Sequence, residues 1–348
     1  MPKLTRKYIT ERISQKRIAF FFGAGASVEA GLPNMAGLTV QIQKELRGKN
    51  AKIYSSIHGL IKDVPPDSIN IERILDVSAL LEKQLSTLTL KTEFPWNSKD
   101  LALFCEAVRS IISRTLSSVR ESSYMNSFIQ KLFHNRSSSA PVWIFTTNND
   151  VLIETALDKS SVGFRNGFVG YKKKSYDPCD LELDLNAKRG RLLSHPARLC
   201  KLHGSVTYGE DENGPFEDLA LPDSAEKKLM IFPSASKYEE SHQTPFHDYH
   251  SLFQRILTQV DTLIVSGYSF SDRHLNLRLQ AAAATNPKLT IFAFLGEVDG
   301  LIPLFNKSKT FYGIGSTAMV QSGILLALPE EFRDYWKTSE LLAFLGGK

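Results

Sequence analysis

Cysteine is scarce in this chain of 348 residues: Cys105, Cys179 and Cys200 are its only three, and no two stand at the spacing of a Cys-x-x-Cys pair. A zinc module built from such pairs is excluded, and so is a disulfide framework, which needs an even set. Sparse, unpaired cysteines suit a reducing compartment, so the cytoplasm is the expected location. Adding histidines to form the set Cys179, His195, Cys200 and His203 gives no recurrent ligand spacing, and no metal is expected. Long apolar runs are also missing. Nothing approaches the roughly 18–20 residues needed to cross a bilayer, and Lys16-Arg17 with the apolar run behind it imitates a signal peptide only until glycines break the run. A formal net charge of +5 is small for this length. The basic clusters Lys172-Lys173-Lys174 and Lys188-Arg189-Gly190-Arg191 read as solvated loop charge, so direct nucleic-acid binding is not expected. With 42% hydrophobic and 23% charged residues, the composition is that of a soluble globular protein with core for about two domains.

What is present begins with a glycine turn. The apolar run Ile18-Ala19-Phe20-Phe21-Phe22 leads into Gly23-Ala24-Gly25-Ala26-Ser27 and then Gly31-Leu32-Pro33, the pattern of a buried strand whose turn opens a helix. Glycines admit a pyrophosphate close to the backbone, and the first amides of a helix favour an anion, so the implied ligand is a nucleotide. No Gly-Lys-Ser/Thr ending follows, which argues against an ATP-binding P-loop, and Val28 stands where a dinucleotide fold would have a third glycine.

Three distant segments share the layout of strand followed by polar tip. They are Trp143 to Asp150, which ends Thr146-Thr147-Asn148-Asn149-Asp150; Leu199 to Ser205, which ends Leu202-His203-Gly204-Ser205; and Thr262 to Asp272, which contains Ser266-Gly267-Tyr268-Ser269-Phe270-Ser271-Asp272. Open α/β sheets place ligands at such carboxyl ends. A hydrolase nucleophile elbow is disfavoured at Ser269, because Ser271 occupies the position where the glycine two residues on would be.

Taken in order, the Gly-Ala-Gly-x-Ser turn, the Thr-x-Asn-x-Asp strand end and the Leu-His-Gly strand end resemble the sirtuin-like family, over Ile18 to about Pro33 and Val142 to about Leu295. The resemblance implies NAD as ligand. It departs from the protein-deacylating members in two ways: the zinc module is absent, and Gly31-Leu32-Pro33 runs into Asn34-Met35-Ala36 where those enzymes continue to a Phe-Arg pair. What remains is similar to the divergent bacterial branch that hydrolyses NAD outright and empties the cell of it in anti-phage abortive infection.

That resemblance implies roles. Breaking the nicotinamide–ribose bond builds oxocarbenium character, so the site must hold the carboxamide, fix the ribose hydroxyls and present a nucleophile. Asn148 would orient a ribose hydroxyl or the attacking water, and His203 would be the base, a task that suits a neutral imidazole. Asp150 would take the nicotinamide amide. Gly23, Ala24, Gly25 and Ser27 would hold phosphate, Gly267 and Ser269 would face the adenosine, and Pro33 and Thr147 would complete the cofactor-binding set. Each has a bland rival: an isolated strand-end histidine is ordinarily structural, and Asn148 and Asp150 could be turn formers. Two further readings stay open, an NAD-dependent protein-lysine deacylase and a non-catalytic module that senses NAD or ADP-ribose.

The expected fold class is α/β, a Rossmann-like parallel sheet flanked by helices, with a helical insertion after the first strand unit. Residues 1–40 and 141–348 form the split sheet domain and 41–140 the insertion. Ile71, Ile74, Leu75, Leu81 and Leu85 recur at helical spacing behind Asn70, as do Leu101, Phe104, Val108, Ile111, Thr115 and Val119. Strands are expected near Ile18–Phe22, Val142–Thr146, Leu199–Leu202, Leu229–Phe232, Thr262–Val265 and Leu289–Leu295, and a helix over His274–Ala283. The stretch from Phe164 to Arg198 has no clear period and reads as an irregular excursion. A free-running NAD hydrolase would harm its host, so the expected partners, besides NAD, are further copies of the chain and a separately encoded activator such as a HerA-type ATPase or a short Argonaute.

Overall fold

The computed structural model describes all residues except 1–3, 14–16, 63–64, 66–68, 88–93, 119–120, 135–139, 184–194, 221–227, 232–242, 307 and 346–348. Helix α1 (Arg6–Ile13) precedes β1 (Ile18–Phe22), and the glycine turn leads into the single-turn helix α2 (Gly25–Val28). Four helices follow, α3 (Met35–Glu45), α4 (Gly48–Leu60), α5 (Ile71–Thr87) and α6 (Ser98–Ser117), before α7 (Ser123–His134) returns the chain to β2 (Val142–Thr146) and α8 (Leu152–Lys159). Short strands β3 (Phe164–Arg165), β4 (Phe168–Gly170) and β5 (Lys173–Tyr176) then lead to β6 (Ala197–Lys201), β7 (Gly204–Asp211), β8 (Gly214–Asp218) and β9 (Lys228–Met230). The last part runs α9 (Phe246–Leu257), β10 (Thr262–Ser266), α10 (Arg273–Thr285), β11 (Thr290–Phe294), α11 (Leu301–Phe305), β12 (Phe311–Ile314), β13 (Ala318–Gln321), β14 (Ile324–Ala327) and α12 (Thr338–Leu345).

The main sheet is ordered β14-β13-β12-β11-β10-β1-β2-β6-β3. From β12 to β3 every neighbour is parallel, and β13 alone runs antiparallel, to both β12 and β14. Chain order reverses at β1, with β2 and β6 on one side and β10 to β12 on the other, the doubly wound arrangement whose switch point binds nucleotides. The strands β1, β2, β6, β10 and β11 are buried along their whole length because both faces are covered. Ala19, Phe21, Phe145, Cys200, Leu263 and Val265 point to a layer formed by α9 and α10, through Tyr249, Phe253, Leu275 and Leu279. The alternate residues Ile18, Phe20, Phe22, Ile144, Leu199 and Ile264 meet Ile9 of α1, Met125, Phe128 and Ile129 of α7, α8, and Leu341 and Leu342 of α12. The chain is thus a three-layer α/β fold with a parallel sheet at its centre.

A separate core joins α3 to α6, from Leu38 and Ile42 to Val108 and Ile112. It takes in α3, which begins at Met35, whereas α7 packs with the sheet. Capping by Asn34 and Asn97 fixes the starts of α3 and α6, each side chain accepting from the amide three residues on. Val119 and Pro66 lie outside the described residues.

Three expectations need correction. The stretch from Phe164 to Arg198 is not irregular where it is described: β3 adds an edge to the main sheet, and β4 and β5 enter a second, antiparallel sheet ordered β4-β5-β8-β7-β9. The lysines of 172–174 flank or form β5 instead of a loop. Lys174 pairs with the buried Glu217 at 2.7 Å and Lys173 with Asp211, and this cross-strand charge hides the alternation that would mark a strand. The segment near Leu229 is likewise a strand, but it pairs with β7 in the small sheet and not in the parallel one. Phe232, its expected end, and the cluster Lys188 to Arg191 lie outside the described residues.

Candidate active site at the strand tips

Register alignment sets the carboxyl ends of four strands side by side: Phe22 pairs with both Thr146 and Ser266, and Thr146 pairs with Lys201. The residues that follow, Gly23, Thr147, His203 and Gly267, therefore share one edge of the sheet. Backbone and side chains stitch these tips together. Thr147 N and Thr146 Oγ1 donate to Phe22 O at 3.2 and 2.9 Å, Leu202 N donates to Thr146 O at 2.8 Å, and Gly23 N and Gly25 N donate to Ser266 O and Gly267 O, both at 2.9 Å.

The glycines serve this stitching. A Cβ on Gly267, whose φ is +66°, would lie 2.2 Å from Ala26 N, and one on Gly25 would lie 2.8 Å from Gly267 Cα. The turns after β1 and β10 press backbone on backbone, and no other residue fits. Gly204, with φ +79°, is excluded from substitution in the same way: a Cβ there would lie 2.1 Å from Leu229 O of the small sheet.

The turn is nearly saturated internally. Ala26 N donates to Gly23 O at 2.9 Å and Ser27 N to Ala24 O at 3.1 Å, with the Gly25 amide already committed to Gly267 O. The expectation that amides from Ala24 to Ser27 cradle phosphate narrows to Ala24, the one of the four whose amide has no hydrogen bond among the described residues. Nor does a long helix follow to supply a dipole, since α2 is 4 residues long. Ser27 is buried and tied to β2: its hydroxyl donates to Asp150 Oδ2 at 2.9 Å and accepts from Asn148 Nδ2 at 2.9 Å. Asn148 Nδ2 also reaches Gly23 O at 3.0 Å. Asp150 Oδ1 accepts Leu152 N at 3.0 Å, so this carboxylate also anchors the start of α8.

One atom in this buried network stands out. Asn148 Oδ1 has no hydrogen-bond partner among the described residues, although Asn148 is only 8% exposed. An unmatched buried acceptor costs about 1–3 kcal/mol, a penalty that a ligand hydroxyl or a water can remove. Such an acceptor suits a ribose hydroxyl.

On the next strand tip, His203 is half-enclosed. Its Nε2 lies 3.3 Å from Asp272 Oδ2, and its ring centroid lies 6.5 Å from that of His250 on α9. His250 is buried, and burial pushes its imidazole down to about 3, so it stays neutral beside His203. Asn149 binds the β2 and β6 tips, donating from Nδ2 to His203 O at 2.6 Å and to Gly204 O at 3.2 Å. Beneath them Lys201, fully buried, donates to the Asp150 carbonyl and pairs with Glu154 at 2.7 Å. Burial raises the Glu154 carboxyl against the pull of that lysine. Tyr124 of α7 donates to Ala26 O at 2.8 Å.

Of the residues singled out from sequence, Gly23, Ala24, Gly25, Ser27, Thr147, Asn148, Asp150, His203 and Gly267 meet at this edge. Pro33 lies just beyond Leu32, whose amide donates to Ser27 O at 3.2 Å. Ser269 is exposed, its hydroxyl 3.0 Å from that of Ser271. Asn149, Asp272, Lys201 and Glu154 gave no separate signal in the sequence beyond their membership of the motif segments or their closeness to them. Cys105 and Cys200 are buried and Cys179 is exposed, all three as free thiols. Among the described residues no three His, Cys, Asp or Glu side chains are grouped as they would be around a metal ion, and no helix is long and apolar enough to cross a membrane.

A doubly wound sheet with polar tips gathered at its switch point defines a Rossmann-type α/β protein with a candidate nucleotide site. Residues 142–312 match the family model of the SIR2-like domain. The fold is similar to that of a mutant Sir2 homologue solved in complex with 2′-O-acetyl ADP ribose, at 13% identity and a TM-score of 0.50, covering 98% of this chain and 96% of that one. A Sir2 homologue–NAD complex matches at 14% identity and a TM-score of 0.44, covering 97% and 94% of the two chains. No curated protein matches. Residues 142–312 thus resemble the SIR2-like domain, within a fold similar to that of a Sir2 homologue.

Proposed function

We propose that this protein is an NAD glycohydrolase, cleaving the nicotinamide–ribose bond to release nicotinamide and ADP-ribose. The observation that carries the reading is the buried Asn148 Oδ1, unpartnered among the described residues, on the strand tip that Asn149 staples to His203. NAD fits the residues present: Asn148 Oδ1 accepts a ribose hydroxyl, the Ala24 amide faces phosphate, and His203 accepts a proton. Support for NAD over another nucleotide comes from the SIR2-like domain match and from the similar fold of a Sir2 homologue solved with 2′-O-acetyl ADP ribose.

In the reaction, the bond between ribose C1′ and the pyridine nitrogen breaks and its electron pair leaves with neutral nicotinamide. Water forms the new bond to C1′, and its surplus proton passes through His203 to solvent. Asn148 orients the hydroxyl or the water, and Asp150, itself held by Ser27 and Leu152, contacts the carboxamide. Gly23, Gly25 and Gly267 keep the tips at the separation this requires, and Ser269, Pro33 and Thr147 border the dinucleotide.

Incubating the protein with NAD alone is the test. Free nicotinamide and ADP-ribose without any acyl-lysine are the expected outcome. Release that demands an acylated peptide identifies a deacylase instead, and binding without turnover identifies a sensor. The wider reading, a cytoplasmic NAD-depleting effector of anti-phage defence that works as a homo-oligomer with a HerA-type ATPase or short Argonaute, rests on the family resemblance. Intracellular NAD that stays constant through phage infection of cells carrying the gene and its neighbours overturns it.

A further inference from the structure

We propose that Asp272 is a positioning residue for His203: its carboxylate fixes Nε2 as the protonated ring nitrogen and thereby makes Nδ1 the one that takes the proton. This deepens the hydrolase reading and rests on it for the reaction, but the geometry stands separately.

Asp272 divides its two oxygens between unlike tasks. Oδ1 caps α10, accepting from His274 N at 2.9 Å and Leu275 N at 3.2 Å. A cap needs no more than that. Oδ2 is directed elsewhere, to an imidazole on another strand, 3.3 Å from His203 Nε2, with both side chains only 13% exposed. The contact spans the sheet: β10, which launches the Asp272 loop, stands three places from β6, about 14 Å at normal strand spacing. The loop must therefore run back over the tips of β1 and β2, and it is braced for that course. Tyr268 Oη donates to Asp272 O at 3.2 Å and to Asn276 Oδ1 at 3.1 Å, while Asn276 Nδ2 donates to Phe270 O at 2.6 Å. Phe270 is held at φ +56°, a conformation its bulk disfavours, by the burial of its ring against Tyr268, Phe305 and Phe311.

The imidazole is braced from its own side too. His203 O accepts from Asn149 Nδ2 at 2.6 Å and from Ile231 N at 2.8 Å. A carboxylate accepts only, so the Nε2 it faces carries the hydrogen and the lone pair sits on Nδ1, which has no hydrogen bond among the described residues. When Nδ1 takes the proton of the ribose hydroxyl or water, the imidazolium forms beside a negative charge. Asp272 stays ionised throughout, and the proton leaves from Nδ1 to solvent. His250 of α9 lies beside the ring as a neutral imidazole, and Arg278 of α10, within electrostatic reach of His250 and Asp272, donates from Nη1 to Gln254 Oε1 at 2.6 Å.

Asp272→Asn tests this, because asparagine caps a helix as well as aspartate does but cannot play the carboxylate's part toward Nε2–H. Asp272→Ser, a second good cap without a carboxylate, is the companion variant. Nitrogen-15 spectra of the histidine rings at pH 8 are expected to show His203 as the Nε2–H tautomer in the wild type, with that preference lost in both variants. Nicotinamide release is expected to fall by about 100-fold or more in kcat, while KM for NAD stays within about threefold and the melting temperature is unchanged. Wild-type tautomer and turnover retained in Asp272→Asn overturn the proposal and leave Asp272 a helix cap. Should the wild type release no nicotinamide at all, the hydrolase reading fails, and the spectra alone decide here: Nε2–H supports the pairing and Nδ1–H refutes it.

Discussion

The two sides of the switch point are built for different purposes. On one side, where the turns after β1 and β10 meet, glycines bring backbone to backbone and almost every amide is matched within the protein. On the other, where β2 and β6 end, Asn148 keeps a buried acceptor unmatched and His203 presents a ring nitrogen without a hydrogen bond, both among the described residues. The Gly23–Ser27 turn is therefore the rigid frame and the Asn148–His203 side the reactive one, although in the sequence the glycines are the more conspicuous.

The largest effect expected is on the reactive side: Asn148→Ala and His203→Ala each lower nicotinamide release by at least about 10³-fold, with the circular dichroism of the wild type. Turnover within tenfold of normal in both would erase the contrast. On the frame side, Gly267→Ala forces a Cβ against Ala26 N and a non-glycine residue into φ +66°. It should cost about 2–4 kcal/mol of stability, read by urea unfolding, whereas a free surface turn would barely respond.

His250 supplies a pH test. Its folded value of about 3 lies below the ordinary 6.5, so the unfolded chain binds the extra proton between those limits. The stability it contributes is complete above pH 6.5 and is lost as pH falls toward 3, at up to about 1.4 kcal/mol per unit. His250→Phe should flatten the fall in unfolding free energy between pH 6.5 and 4.5; an unchanged slope would show that the ring is solvated. The smallest effect belongs to Ser27→Ala, which removes one donor from Asp150 and should cost about 1–2 kcal/mol with KM for NAD within about twofold. A tenfold rise in KM would return the serine to the phosphate-binding role that the motif alone suggests.

The parallel strands were legible because each is a short, wholly apolar run with a polar tip, the signature of burial on both faces. The small antiparallel sheet was not, because β5 and β8 satisfy each other through Lys174 and Glu217 instead of through alternating apolar residues. The motif residues of the site were legible individually. Asp272 was visible only as the end of a strand-turn segment, since nothing local indicates that a loop from β10 crosses two strand tips to meet His203. Lys201 and Glu154 were hidden for a similar reason: a lysine inside an apolar strand acquires meaning only when α8 places a carboxylate 2.7 Å away.

The unequal placement of the three thiols offers a practical handle. Burial raises Cys105 to about 11 and Cys200 higher still, which leaves both almost wholly protonated and shielded at neutral pH, while Cys179 lies open on the surface. A maleimide dye at pH 7 should accordingly attach at one position in the native protein and at three after denaturation. The ratio of label taken up under the two conditions gives a gauge of foldedness that needs no engineered cysteine.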